Sequence, residues 1–168
     1  QTCLKQEGLA SLQIIFNIFR QKPIAELFDE AKTKGISLIV RLPLASGLLG
    51  GKLNPNVSFP ENDHRLFNSD GQCFNIGETF AGIPFNVGLK IVEKLKKMIP
   101  EGMTLAQMSL RWILDFDAVT VVIPGSKSPL QILDNASASH LPNLPKSLHD
   151  KLSSFYNEEI AQHIRGKY

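Results

Sequence analysis

Residues 36–42, ISLIVRL, form a near-continuous apolar run bounded by Gly35 and Pro43. A run this short with no alternating polar positions is the pattern of a parallel strand covered on both faces. Parallel strands cannot be joined by a tight hairpin; they need a crossover of a dozen or more residues, usually a helix. The preceding sequence supplies one. Leu12–Phe16 (LQIIF) is a short strand signal rich in β-branched and aromatic residues. Ile24–Lys34 then carries apolar residues at Ile24, Leu27, Phe28 and Ala31, the spacing of a helix with one buried stripe, and Gly35 suits its C-terminus. Strand, helix and strand with short links make a βαβ unit, which places the chain in the α/β class.

A third strand and its exit carry the chemistry. Val119–Asn135 reads VTVVIPGSKSPLQILDN. The β-branched run Val119–Ile123 breaks at Pro124-Gly125, Ser128 suits an N-cap, and Pro129 suits the first helical position, which needs no N–H donor. A strand ending in a glycine turn and entering a helix N-terminus forms an anion site, because backbone N–H groups converge where the helix dipole is positive. Lys127 adds a full charge, and Gln131, Asp134 and Asn135 share one helix face at i, i+3 and i+4. Read alone, the stretch is equally a plain strand–turn–helix joint in which Lys127 is solvated.

Between the second and third strands, residues 43–82 are dense in Gly, Pro, Asn and Asp and lack periodicity. So long an interruption after a strand's carboxyl end is either a binding loop or disordered, and its position favours the loop. Gly47, Gly50 and Gly51 permit close backbone approach, and Lys52 can meet a phosphate. A P-loop is excluded, since Leu53 follows Gly51-Lys52 and Ser46 stands where the earlier glycine is required. Helical spacing resumes over Ile83–Met98, over Leu105–Phe116 behind a Thr104 cap, over Pro129–Ala138, and over Ser147–Ile160. Trp112 reads as core. The tail HIRGKY is polar and reads as crossing the outer surface. Three parallel strands with these connections match the last part of an eight-stranded (β/α)8 TIM barrel, which needs about 250 residues. Residues 1–168 are accordingly read as a single partial domain. The chain opens on Gln1, and residues 1–11 resemble the tail of a helix and a turn, as in a chain that begins in mid-fold.

Composition narrows the classes. Of 168 residues, 43% are hydrophobic and 20% charged, which is globular rather than disordered. A net charge of +2, with no Lys/Arg block longer than two, gives no footprint for a nucleic-acid partner. No apolar run approaches membrane-spanning length and no secretory signal opens the chain, so neither membrane nor export is expected. Cys3 and Cys73 are too few for a disulfide framework and fit free thiols in a reducing cytoplasm. His64, His140, His149 and His163 lack metal-ligand spacing and are expected at the surface.

Four blocks in order, LQIIFN at 12–17, RLPLASGLLGGK at 41–52, FPENDHRLFN at 59–68 and IPGSKSPLQILDN at 123–135, resemble the carboxyl-terminal half of an aldo-keto reductase. QMSLRWIL at 107–114 and IRGKY at 164–168 agree with it. The likeness is to bacterial general aldo/keto reductases and, more distantly, to potassium-channel β subunits. It implies an NADP-dependent reductase of small aldehydes or ketones, with a non-catalytic NADP-binding regulatory module as the alternative. By resemblance, Gln13 bonds the nicotinamide carboxamide. Arg41 stands where relatives stack an aromatic ring on the nicotinamide, a role a guanidinium can fill. Leu42 replaces a frequent serine, so its pyrophosphate contact falls to backbone. Pro43, Leu44, Ser46 and Gly47 match the loop over the pyrophosphate, and Lys52 its cation. Gly125, Ser126 and Lys127 match the pocket for the adenosine 2′-phosphate, Gln131 its second ligand, and Asp134 and Asn135 the adenine edge. The family's catalytic Asp, Tyr, Lys and His fall on earlier strands, before Gln1, so no catalytic residue and no metal ligand is assigned in this chain. By the same reasoning the chain needs the amino-terminal half of the barrel, or self-association.

Overall fold

Strand β2 (Ser37–Arg41) lies at the centre of a three-stranded sheet, between β1 (Ser11–Ile15) and β3 (Val119–Val122), and both pairings are parallel. The structure, a computed structural model, describes residues 3–166. Leu38 and Val40 of β2 are fully buried, and Leu12 and Ile14 of β1 and Val119 and Val122 of β3 pack on the same core. Side chains alternate along a strand, so the intervening residues face the other way. Gln13, Ile39 and Val121 form one row across that second face, and Ile15 and Arg41 the next. The pairing of β2 with β3 slips at Thr120, a bulge between Val119 and Val121. Its hydroxyl accepts the Leu38 N–H at 3.2 Å, so the irregularity leaves that donor satisfied.

The crossover from β1 to β2 starts as a wide turn over Ile24–Phe28 and tightens into α1 (Asp29–Thr33), where a single regular helix was expected. The Lys22 carbonyl, just before that wide turn, accepts from both the Ala25 and Glu26 N–H groups. From β2 the chain passes through α2 (His64–Phe67), α3 (Phe85–Lys96) and α4 (Leu105–Leu114) to β3. Thr104 and Gln107 form a complete capping box at the start of α4, and Leu105, Met108, Leu110, Trp112 and Ile113 are all buried. After β3 come α5 (Pro129–Ser137) and α6 (Lys146–Phe155), the latter opening into a wide turn over Tyr156–Ile160 rather than continuing as regular helix. Among the described residues, a short turn, Cys3–Lys5, precedes β1. Gln1, Thr2, Lys167 and Tyr168 lie outside the described residues.

Phe16, at the carboxyl end of β1, is fully buried and touches three rings. It meets Phe28 edge-on at 4.9 Å between centroids, stacks on Trp112 at 5.0 Å and meets Phe116 at 5.3 Å. Trp112 therefore belongs to the core, as its spacing implies. His149 is not a surface histidine: its ring lies 6.3 Å from Trp112, and Nε2 is 2.9 Å from an Asp115 carboxylate that also takes N–H bonds from Arg111 and Leu144. Burial of that carboxylate demands such donors, and α6 carries the histidine to it.

Among the described residues no helix is long and apolar enough to cross a membrane, and no cluster of His, Cys, Asp and Glu could hold a metal ion. Cys3 and Cys73 are exposed free thiols. Because Phe16 joins β1, α1 and α4 through aromatic contacts, Phe16→Ala should lower unfolding stability by about 3–5 kcal/mol. Denaturant titration followed by circular dichroism measures it, and a loss below about 1 kcal/mol would show the cluster to be peripheral.

Candidate functional site

Parallel strands deliver their carboxyl ends to one edge of the sheet, and each of the three here ends in a residue that fastens its neighbour. Asn17, just past β1, is fully buried; its Nδ2 donates to the Leu42 carbonyl at 2.9 Å and its Oδ1 accepts the Phe19 N–H at 2.9 Å. Leu42 adopts φ +52°, a left-handed conformation, immediately after β2. On the far side the Ile123 N–H donates to the Val40 carbonyl at 3.0 Å before the turn at Pro124. The loops at 17–22, 42–52 and 124–128 thus leave from adjacent strand ends.

The segment 43–82 is ordered by a set of side-chain hubs, not structureless. Ala45 and Ser46 at φ +47° and +55° precede Gly47, and Phe80 and Ala81 at +51° and +58° precede Gly82. Left-handed conformations at residues with a Cβ cost about 1 kcal/mol or more each and persist only where surroundings enforce them. Here the two strained turns brace one another. Ser46 Oγ accepts the Phe80 N–H at 3.1 Å and donates to the Glu78 carbonyl at 3.3 Å, with His64 Nε2 also 3.3 Å away. Asn68, fully buried, donates to Thr79 Oγ1 at 3.0 Å and accepts from the Cys73 and Phe74 N–H groups at 2.9 Å each. Arg165, from the tail expected to cross the outer surface, reaches back to the same loop. Its Nε donates to the Gly82 carbonyl at 3.0 Å, and its guanidinium also bonds the Ser69 carbonyl and Asp70. A Cβ on Gly82 would come within 2.9 Å of the Arg165 carbonyl, so this contact requires glycine.

Each residue singled out in the sequence can now be placed. Gln13 is exposed on the face of β1 opposite Leu12 and Ile14, one row from Arg41. Arg41 does not present a free guanidinium: Nη2 lies 2.6 Å from Glu78 Oε2. That bond holds the Glu78 carboxyl below its ordinary range and raises Arg41 above its own. The physical reason is that the short 3-10 turns Ile76–Glu78 and Phe80–Gly82 bring Glu78 to the end of β2, a placement no local pattern encodes. Pro43 is buried, Leu44 packs on the core, and Ser46 and Gly47 form the strained turn. Lys52 is exposed just past the left-handed Gly51.

The second cluster surrounds the start of α5. Ser128 Oγ accepts the Gln131 N–H at 3.3 Å, completing the N-cap that Ser128-Pro129 signals. Gln131 Oε1 accepts the Lys127 N–H at 2.7 Å, and Asn135 Nδ2 donates to Ser126 Oγ at 2.9 Å, so Gln131 and Asn135 hold the turn from both sides. Lys127 is exposed and pairs with no carboxylate among the described residues. A Cβ placed on Gly125 would meet nothing within 4 Å, so the space above the turn is open. An exposed cation, a helix N-terminus and open space fit a phosphate group. Asp134 is turned instead toward α4, accepting from Gln107 Nε2 at 2.9 Å. Sequence reasoning missed Glu78, Asn68, Gln107 and Arg165. Only Gln107 had a local signal, as the fourth residue of the Thr104 capping box.

The Aldo/keto reductase family model matches residues 3–157, and the chain belongs to that family. Aldo-keto reductase str7 of Strobilurus tenacellus is 28% identical over 137 residues, covering 79% of this chain and 38% of that protein. The L-glyceraldehyde 3-phosphate reductase of Escherichia coli O157:H7 is 29% identical over 137 residues, covering 81% of this chain and 35% of that protein. Among solved structures, the glycerol dehydrogenase of Gluconobacter oxydans superposes with a TM-score of 0.70 at 18% identity, over 94% of this chain and 45% of that one. An aldo-keto reductase of Bacillus halodurans, in a holo form, gives 0.61 at 21% identity over 91% and 44%. The chain therefore spans well under half the length of these relatives.

Asp63 offers a test of how firmly the loop is built. It caps α2 and accepts from Arg65 N, Nε and Nη2 at 2.9, 2.9 and 2.6 Å, and the side-chain bonds to Arg65 lower its pKa from 3.8 to about 2. The folded protein thus holds the carboxylate ionised where the unfolded chain has protonated it, and the unfolded state binds more protons in that window. The contribution is fully present above about pH 4 and disappears as pH falls through about 2. It amounts to roughly 2 kcal/mol. Asp63→Asn should flatten the acid limb of the stability–pH profile by about that amount, as read by urea titrations between pH 2 and 5; an unchanged limb would contradict the assignment.

Proposed function

We propose that this chain is the cofactor-binding portion of an NADP-dependent reductase of small aldehydes or ketones, the carboxyl-terminal part of a (β/α)8 barrel. The observation that carries the reading is the turn at 125–128. Lys127 stands exposed beside the N-terminus of α5, with Gln131 bonded to its backbone and Ser128 capping the helix. A dianionic 2′-phosphate suits that combination, since it can take a full positive charge and N–H donors at once. Gly125, Ser126, Lys127, Gln131 and Asn135 would hold the adenosine end. Gln13, on the open face of β1, would meet the nicotinamide carboxamide.

Bound NADPH supplies a hydride to a carbonyl carbon. What this chain's own residues contribute is position. The strained turns at Ala45–Gly47 and Phe80–Gly82 bring backbone close to where a pyrophosphate would lie, and Lys52 stands exposed at the end of the same loop. Arg41, held by Glu78, lines the ring end of the site as one member of an ion pair. That pairing leaves it a flat polar wall and not a competing cation.

Removing the Lys127 charge tests the reading. In a complete protein, Lys127→Ala should weaken NADPH binding by about tenfold or more and leave NADH almost unchanged, since one charge-assisted contact to phosphate is lost. Fluorescence titration with both cofactors measures it. An unaltered preference would remove the 2′-phosphate from this turn.

The same reading makes the three-stranded sheet incomplete. β1 and β3 each have one unpaired edge, and Val121 and Ile123 are 41% and 46% exposed. Unpaired strand edges beside exposed apolar surface drive association. The 168 residues alone should therefore self-associate, with the amino-terminal barrel half or a second copy covering these edges. Light scattering at micromolar concentration gives the mass, and a stable monomer would count against the barrel reading.

A further inference from the structure

Helix α5 has no fully buried residue, although it bears the residues assigned above to the adenosine end. Leu130, Ile132 and Leu133 are 76%, 57% and 68% exposed. Beneath the helix, between it, α4 and β3, lies a cavity of about 540 Å³ lined by residues such as Leu110, Val122, Ile132 and Ala136. A short helix that buries so little cannot be located by packing, because its own propensity is insufficient and apolar burial is what normally fixes a helix in place. Polar contacts therefore carry much of its position, and the two side-chain bonds that tie it to α4 come from Gln107.

Gln107 makes four bonds with both ends of its amide and its own backbone. Its Oε1 accepts the Thr104 N–H at 2.9 Å and its N–H donates to Thr104 Oγ1 at 3.1 Å, which is the capping box of α4. Its Nε2 donates to Asp134 Oδ1 at 2.9 Å and to Ser137 Oγ at 3.2 Å, while Ser137 Oγ donates to the Asp134 carbonyl at 2.7 Å. A capping box needs only the acceptor; the amide donors are additional and point at α5. Asp134 lies one turn along the helix from Gln131, whose amide holds the Lys127 backbone.

We infer that Gln107 is a positioning residue for the adenosine 2′-phosphate site: through Asp134 and Ser137 it sets where the N-terminus of α5, and with it Lys127 and Gln131, stands. This rests on the reading of α5 given above. It holds Asp134 against α4 through one carboxylate oxygen. It also explains why the helix keeps a fixed place above a cavity.

Gln107→Glu separates the two duties of this side chain. A glutamate carboxylate still accepts the Thr104 N–H, so the capping box and α4 survive. It has no donor, however, and sets a second negative charge against Asp134. In the 168-residue chain, hydrogen exchange at residues 130–137 should accelerate about tenfold or more while α4 is unchanged. Affinity for adenosine 2′,5′-bisphosphate, the probe for this site, should fall about tenfold, the effect of losing one well-aligned polar contact. Gln107→Glu combined with Asp134→Asn restores a donor facing an acceptor and should recover the slow exchange. Normal exchange in α5 of Gln107→Glu, or unaltered probe affinity beside a wild-type chain that binds, overturns the positioning role alone. A wild-type chain that does not bind the bisphosphate overturns the assignment of α5, and the role of Gln107 with it.

Discussion

Everything in this molecule follows from three strands being forced to run the same way. Parallel pairing between β1, β2 and β3 requires each connection to climb back over the sheet, and the core closes on the face where Leu38 and Val40 are buried. The other face keeps Gln13, Ile39, Arg41 and Val121. One consequence is that all three strands finish at the same edge, where their exits sit side by side. Another is that the sheet has a covered face and an uncovered one, so polar groups at the strand ends can meet a ligand without leaving the framework.

The exits are built by opposite means. At the proposed ring end, the segment between β2 and α3 is pinned by mutual bracing. Two left-handed turns oppose each other through Ser46, Asn68 is buried with every polar atom engaged, and Arg165 fastens the outer side. Arg65 adds to this, lying 4.3 Å above the Phe59 ring while it holds Asp63, and Phe59 in turn meets Phe80 and Phe85. Strain of this kind is maintained only by neighbours that cannot relax, which makes the loop a preformed surface.

The elements were legible where a local pattern decides them. The apolar runs of β1 and β2 and the periodic stripes of α3 and α4 announce burial directly, and Thr104, Ser128 and Gly35 mark ends because each satisfies a backbone group in its own vicinity. The charged and polar turn 125–128 was legible for the same reason. What escaped was every contact between distant positions. Arg41 shows its charge in the sequence but not that Glu78, 37 residues on, would neutralise it. Asp134 reads as a ligand-facing residue on its helix, yet the donor that claims it comes from α4, 27 residues earlier. The segment 43–82 has no period because its order is made by single side chains: Ser46 and Arg165 each reach a backbone group far along the chain, and Asn68 ties its own neighbourhood together.

The turn and helix proposed for the adenosine end have no such bracing, and the contrast has a physical basis. Burying apolar surface is worth about 25 cal/mol per Å², and α5 collects little of it, with Leu130 and Leu133 facing outward and a cavity at its back. Its alternative is a set of directional bonds from Gln107, Ser126 and Lys127, each worth only about 1 kcal/mol net but each fixing an angle as well as a distance. A phosphate arriving at the helix N-terminus would meet donors already aimed and a lysine that pairs with no carboxylate among the described residues. Stability and orientation are thus supplied by different forces at the two strand exits: packing and strain hold the segment between β2 and α3, and hydrogen bonds hold the turn at 125–128 and α5.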